Sequence, residues 1–244
     1  MKELTEHLGH GLKCLSAIIL MATTHIALAG QEVTGKIVID GAIYGDSDTK
    51  ITKGSGTSSR VQRPIGEFHS IIVKGSVDVL YKGGSSAKTE VMGDPNIIPL
   101  ITTTVNQGVL TISSTRSYQS MQPIVITLGS RKLAALTMEG AGDVELENLK
   151  ENTLILKLSG SGNLKAQGKA SQLSIFLEGA GDVDASDLIS DHAEVRIEGS
   201  GNVEVNAKQS LKGGIAGSGD IHYFGQPDKI EKHISGSGDF IGED

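Results

Sequence analysis

Along the second half of the chain, apolar and polar residues alternate in short blocks, as in Leu154-Ile155-Leu156-Lys157-Leu158 and Leu173-Ser174-Ile175-Phe176-Leu177. Period two is the mark of half-buried strands, and no segment carries the 3.6 period of a helix. The blocks are punctuated by a motif, Gly-small-Gly-Asp/Asn-apolar, whose first glycines are Gly140, Gly160, Gly179, Gly199, Gly217 and Gly236, spaced 20, 19, 20, 18 and 19 residues apart. Two positions before them stand Met138, Leu158, Leu177, Ile197, Ile215 and Ile234; four positions after stand Val144, Leu164, Val183, Val203, Ile221 and Phe240.

A unit of this length is too short for a propeller blade of ~40–45 residues. It fits one turn of a β-solenoid, in which coils stack at ~4.8 Å and equivalent residues form ladders. The expected fold is all-β, a right-handed parallel β-helix with coils of ~19 residues. A left-handed hexapeptide solenoid is the alternative, but its six-residue sub-period is absent. The regular coils occupy 133–244, within a single solenoid domain at 51–244. From Gly75 to Gly140 the repeat lapses, and apolar-alternating runs at Ala87–Met92 and Val109–Ser113 are expected to complete the first coils and cover one end. Asp94-Pro95-Asn96 is expected to open a short helical turn.

The glycines turn the chain between strands. Gly140 and Gly142, Gly160 and Gly162, Gly179 and Gly181, Gly199 and Gly201, Gly217 and Gly219, and Gly236 and Gly238 are the structural turn residues. Such corners need positive φ or close approach of two backbones. The second glycine, as in Gly181 and Gly201, is expected to hold a conformation unfavourable to other residues. The following Asp143, Asn163, Asp182, Asn202, Asp220 and Asp239 would form a column that caps free amides in the turn, and the alternation of Asp with Asn reduces like-charge repulsion.

Composition narrows the picture further. The 244 residues include 32 Gly, 4 Phe, 4 Tyr and no Trp, so the core must be thin or built from small aliphatics. Residues 1–135 carry 13 basic and 10 acidic side chains, and residues 136–244 carry 9 and 19. An acidic second half repels phosphate backbones, which argues against a nucleic-acid partner. Lys2 and Lys13, the apolar run Cys14–Ala22 and the site Ala27-Leu28-Ala29 read as a signal peptide over 1–29, followed by a leader segment at 30–50. The apolar run falls short of a membrane span, so no transmembrane segment is expected in the mature chain. Cys14 leaves with the signal, which removes disulfides, Cys-ligated zinc and Cys nucleophiles from consideration and places the protein outside the cytoplasm, in the periplasm or at the cell surface.

The repeated GSGN/GAGD turns, with the upstream stretch Gly54-Ser55-Gly56, Arg60 and Phe68-His69-Ser70-Ile71-Ile72-Val73-Lys74-Gly75-Ser76-Val77-Asp78-Val79, resemble the bacterial head GIN domain family, associated with auto-transporter adhesins. The resemblance covers roughly residues 50–244. It implies an exported parallel β-helix related in shape to pectin-lyase-like folds, an adhesion role and no established catalytic residues. Val77 stands where later motifs have Gly, so the first turn is expected to differ. A self-translocating protein also needs a membrane barrel, so self-translocation is not expected of this sequence.

Candidate chemistry is sparse. No GxSxG, HExxH, P-loop or GxGxxG pattern occurs, His69, His192, His222 and His233 lack metal-ligand spacing, and no cofactor is indicated. Asp46-Ser47-Asp48 begins like a calcium loop, but Ile51 and Thr57 replace its required Gly and Glu. Asp143, Asp182, Asp220 and Asp239 are candidate cation ligands, although turn capping explains them without metal. Phe176 and Arg196, neighbours on one strand face, could stack a sugar ring; Asp184 and Glu204, in the outward series Glu145, Lys165, Asp184, Glu204 and His222, could line a saccharide groove. A solvated sheet face is the simpler reading of both. The sequence is thus read as a non-catalytic scaffold for adhesion or envelope binding, with a cell-surface glycan or envelope protein as partner. The alternative is a polysaccharide lyase or hydrolase, which needs acidic and basic groups converging at one point.

Overall fold

The computed structural model describes residues 37–39, 42–44, 51–85 and 88–243. The expected signal peptide, most of the expected leader and the Asp46-Ser47-Asp48 segment lie outside them. Within the leader, β1 (Ile37–Ile39) and β2 (Ala42–Tyr44) form an antiparallel pair with each other.

The remaining described residues form an all-β solenoid of about five turns. Its first part, where the repeat lapses, contains β3 (Thr52–Lys53), β4 (Ser59–Arg63), β5 (Ser70–Gly75), β6 (Asp78–Gly83), β7 (Thr89–Gly93), β8 (Ile101–Asn106), β9 (Val109–Ser114), β10 (Tyr118–Gln119) and β11 (Val125–Ser130). Parallel pairing already operates here, β5 with β9 and β6 with β11. Antiparallel strands then close the end of the stack: β8 lies on β9, and β4 lies on β7, which lies on β11. Asp94-Pro95-Asn96 leads into a short 3-10 helix at Ile98–Leu100.

The regular coils follow. β12 (Ala135–Gly140), β13 (Asp143–Gly160), β14 (Asn163–Gly179), β15 (Val183–Gly199), β16 (Val203–Gly217), β17 (Ile221–Phe224), β18 (Lys229–Gly236) and β19 (Phe240–Gly242) pair in parallel with their counterparts one coil away. The long strands are bent where the register shifts, for instance between Leu146 and Leu149 and between Lys165 and Gly168. Asn148 and Gly168 take positive φ at that bend. Each coil therefore contributes to two faces, one after the glycine corner and one before it.

Inside, the two expected apolar ladders are present. Met138, Leu158, Leu177, Ile197 and Ile215 are buried on the pre-corner face, and Val79, Val144, Leu164, Val183, Val203 and Ile221 on the other. The aromatics packed in or against the core sit toward the ends: Phe68, Tyr81 and Tyr118 in the first part, Tyr223 and Phe240 in the last coils. Mid-stack rungs take aliphatics because the rung above and the rung below confine their volume.

The corners depart from expectation in one respect. Positive φ belongs to the first glycine of each motif, +138° at Gly160 and +122° at Gly179, and not to the second. The second glycine is required by close approach instead. A Cβ on Gly181 would run into the carbonyl oxygen of Gly162, and one on Gly201 into that of Gly181. The column begins at Gly75 (φ +96°), paired with Gly140, with Val77 below Gly142. Val77 keeps its side chain because no earlier corner stands beneath it.

Candidate ligand-binding faces

The Asp/Asn column is a ladder of inter-coil caps. Asp78 Oδ1 accepts the Asp143 amide at 3.0 Å, Asp143 Oδ1 that of Asn163 at 3.2 Å, Asp182 Oδ1 that of Asn202 at 2.8 Å, Asn202 Oδ1 that of Asp220 at 3.0 Å, and Asp220 Oδ1 that of Asp239 at 2.7 Å. Each amide so capped belongs to the next coil rather than to the same turn. The sequence reading recognised the first motif, with Val77 in place of Gly, but left Asp78 out of the column that it heads. Among the described residues no three His, Cys, Asp or Glu side chains converge to hold a metal ion. Asp143, Asp182, Asp220 and Asp239 each occupy a separate rung.

The four candidate ligand residues fall on two different faces. Phe176 and Arg196 are adjacent rungs of a pre-corner outward column that runs Thr137, Lys157, Phe176, Arg196, Gly214, His233. Lys157 Nζ lies 5.3 Å from the Phe176 ring centroid, a cation–π contact. Arg196 Nε and Nη2 donate to Glu198 Oε1 at 2.8 and 2.6 Å. Phe176 and Arg196 line separate grooves, of about 280 and 500 Å³.

Asp184 and Glu204 are adjacent rungs of the post-corner column Leu80, Glu145, Lys165, Asp184, Glu204, His222. Burial pushes the Asp184 carboxyl up, but the Ser186 hydroxyl and amide at 2.6 and 3.1 Å and Lys165 at 3.2 Å outweigh it and hold the pKa low. Asp184 lines a third groove of about 520 Å³, with Leu80, Val125 and Asp143. On both faces ion pairs join neighbours one rung or two residues apart, as in Lys74–Glu139, Lys212–Glu194 and Lys165–Asp184.

The sequence reading also missed Asp94, the one carboxylate fully buried among the described residues. It accepts hydrogen bonds from Gly56 N at 2.6 Å, Ser120 Oγ at 2.7 Å, Met121 N at 3.0 Å and Gln122 N at 3.3 Å. These tie the first segment and the loop after β10 to the solenoid end, and the group is structural.

Solved structures share this architecture. A putative adhesin from Bacteroides fragilis matches with a TM-score of 0.67 at 22% identity, over 78% of this chain and 99% of that one. Putative adhesins from Parabacteroides merdae and Parabacteroides distasonis match at TM-scores of 0.54 and 0.51, with 20% and 21% identity, each over 79% of this chain and 99% of theirs. At such identities the likeness is one of fold. No curated protein matches the chain. The family described as "Putative auto-transporter adhesin, head GIN domain" matches residues 67–227, from just before β5 to the loop after β17, and the chain belongs to that family.

Proposed function

We propose that this protein is an exported, non-catalytic scaffold that binds a cell-surface glycan or an envelope protein through its outer sheet faces. The observation that carries the reading is the pre-corner outward column, where Phe176 and Arg196 stand on adjacent rungs with polar and ionic neighbours on both sides. Membership of an adhesin family supports the same reading. Among the described residues no helix is long and apolar enough to cross a membrane.

The acid pair of a glycosidase needs one carboxyl with a raised pKa to act as general acid. Asp94, Asp184 and Glu231 do not answer that need, because hydrogen bonds and neighbouring cations hold their carboxyls below the usual range.

Purified protein is expected to bind isolated bacterial envelopes, or the polysaccharide extracted from them, saturably and more weakly after Phe176→Ala or Arg196→Ala. Binding that neither substitution moves would take the function away from this face, and absence of binding to both preparations would overturn the scaffold reading. N-terminal sequencing of the exported protein is expected to start at Gly30; retention of Met1 would overturn the cleaved signal.

A further inference from the structure

Gly213 and Gly214 are neighbours in β16 and answer to different demands. Gly213 faces the interior, where a Cβ would run into the ring of Phe240 and also meet Ile221. Packing therefore explains it: the Phe240 ring fills the space that a side chain at 213 would take. Gly214 faces outward. It does not hold a positive φ, and a Cβ built there meets no heavy atom within 4 Å. Glycine weakens a strand interior and typically marks close approach by a ligand or another backbone. Its strand neighbours Arg196 and His233 pair with it in ordinary register and leave the Cβ position open, so neither conformation nor close approach at that position requires a glycine.

Around Gly214 lies a groove of about 500 Å³ across β15, β16 and β18. Arg196 stands on the preceding rung and His233 on the following one. Beside them Lys212 Nζ donates to Glu194 Oε1 at 2.9 Å, and Glu231 is paired with Lys229 at 2.6 Å. Of the aliphatic residues of the lining, Val195, Ile197 and Ile215 are buried beneath the surface and Ala216 is exposed.

Charge and polarity select the occupant. On the outward rungs the acidic and basic side chains are paired apart from His233. Lys232, which shares the inward rung of Gly213, holds its ammonium at the Phe240 carbonyl and ring centroid, at 3.4 and 4.6 Å, so the outward side chains leave little net field for an ion. The exposed apolar side chain of the lining is the Ala216 methyl, too small to anchor an apolar partner. What it offers is pairs of donors and acceptors, each fixed by the other, around bare backbone. A sugar hydroxyl both donates and accepts and matches such pairs.

We propose that Gly214 is the floor of a subsite for one ring of a neutral saccharide, whose hydroxyls bond to the Arg196–Glu198 and Lys212–Glu194 pairs. This deepens, and rests on, the reading of the pre-corner face as a binding surface.

The test uses an array of immobilised neutral and uronic-acid oligosaccharides, probed with the wild-type protein, Gly214→Gln and Phe176→Ala, together with melting curves. The wild type is expected to bind neutral oligosaccharides. Gly214→Gln, which fills the groove, is expected to weaken that binding by at least about tenfold while Tm stays level or rises. Undiminished binding by Gly214→Gln would overturn the subsite, as would a fall in its Tm, which would give the glycine a structural role. Preference of the wild type for uronic-acid sugars would overturn the neutral class. Envelope binding without saccharide binding would overturn this proposal and leave the binding face standing, whereas loss of both would overturn the two together.

Discussion

Asp182 Oδ1 accepts two hydrogen bonds from Asn202 one coil further on, from its backbone amide at 2.8 Å and its side-chain amide at 3.3 Å. The same double contact joins Asp143 to Asn163, at 3.2 and 2.9 Å. Alternation of Asp and Asn thus places a charged acceptor opposite an amide that can donate, which an unbroken column of carboxylates could not do. Asp182→Ala should cost about 1 kcal/mol in urea melts, the net worth of an exposed hydrogen bond. Asn202→Asp should cost about 0.5 kcal/mol through like-charge contact, and added NaCl should relieve it. A salt-insensitive loss for Asn202→Asp would remove repulsion as its cause. Calcium chloride should not shift the melt relative to EDTA at equal ionic strength, because the rungs stand apart and their oxygens face amides; a calcium-specific rise would overturn the capping role.

The two glycine environments predict opposite signs for one substitution. Gly181→Ala places a methyl against the Gly162 carbonyl. Neighbouring coils fix both backbones, so the contact cannot relax cheaply, and the loss should be about 1–3 kcal/mol. Gly214→Ala adds a methyl to open space and should leave stability level or raise it by about 0.5–1 kcal/mol. Equal effects at the two positions in denaturant melts would refute the close-approach account of the corner.

The coils were legible because their constraint is local and repeated. A period of two, reset about every 19 residues, fixes both which side chains face inward and which residues share a rung, so Leu158, Leu177 and Ile197 could be aligned without coordinates. What the sequence concealed depends on contacts far along the chain. Asp94 gives no local sign of its role because Gly56 and Ser120 lie 38 and 26 residues away. Asp78 was left out of the column because its partner, the Asp143 amide, lies 65 residues away, beyond the stretch where the repeat lapses. Gly213 and Gly214 are indistinguishable as letters; one faces Phe240 and the other solvent, and only the register of β16 separates them. Phe176 and Arg196 stand on adjacent rungs of one face and Asp184 and Glu204 on adjacent rungs of the other, where their distances from the glycine corners place them.

Leu177 tests the interior ladder. It is fully buried between Leu158 and Ile197, each one coil away. Backbone hydrogen bonds set the spacing between coils, so the neighbours cannot close on the space left by truncation. Leu177→Ala should cost about 2–5 kcal/mol. Ile234 occupies the same column on β18 but is 43% exposed; Ile234→Ala should cost less than half as much. A loss at Leu177 below about 1 kcal/mol would mean that the ladder does not confine it.

Asp94 gives the closed end of the solenoid a pH dependence. The Ser120 hydroxyl lowers its pKa most; burial opposes, and the amides of Met121, Gly56 and Gln122 add to the lowering, with a result of about 2 against an ordinary 3.8. The unfolded chain therefore takes up this proton at higher pH than the folded chain does. Stability from the group is complete above its unfolded pKa and is lost as the pH falls from about 4 towards 2. Asp94→Asn should lower Tm at neutral pH, because its NH2 turns a donor toward some of the donors that now bond the carboxylate. It should also flatten the fall in Tm between about pH 4 and 2, leaving the shallower slope due to Asp184 and Glu231, whose pKa values are lowered as well. Melting curves of both proteins across that range decide the matter. Parallel acid limbs, offset but equally steep, would show that Asp94 keeps its proton equilibrium unchanged on folding and that the cradle of amides does not bind the charged form.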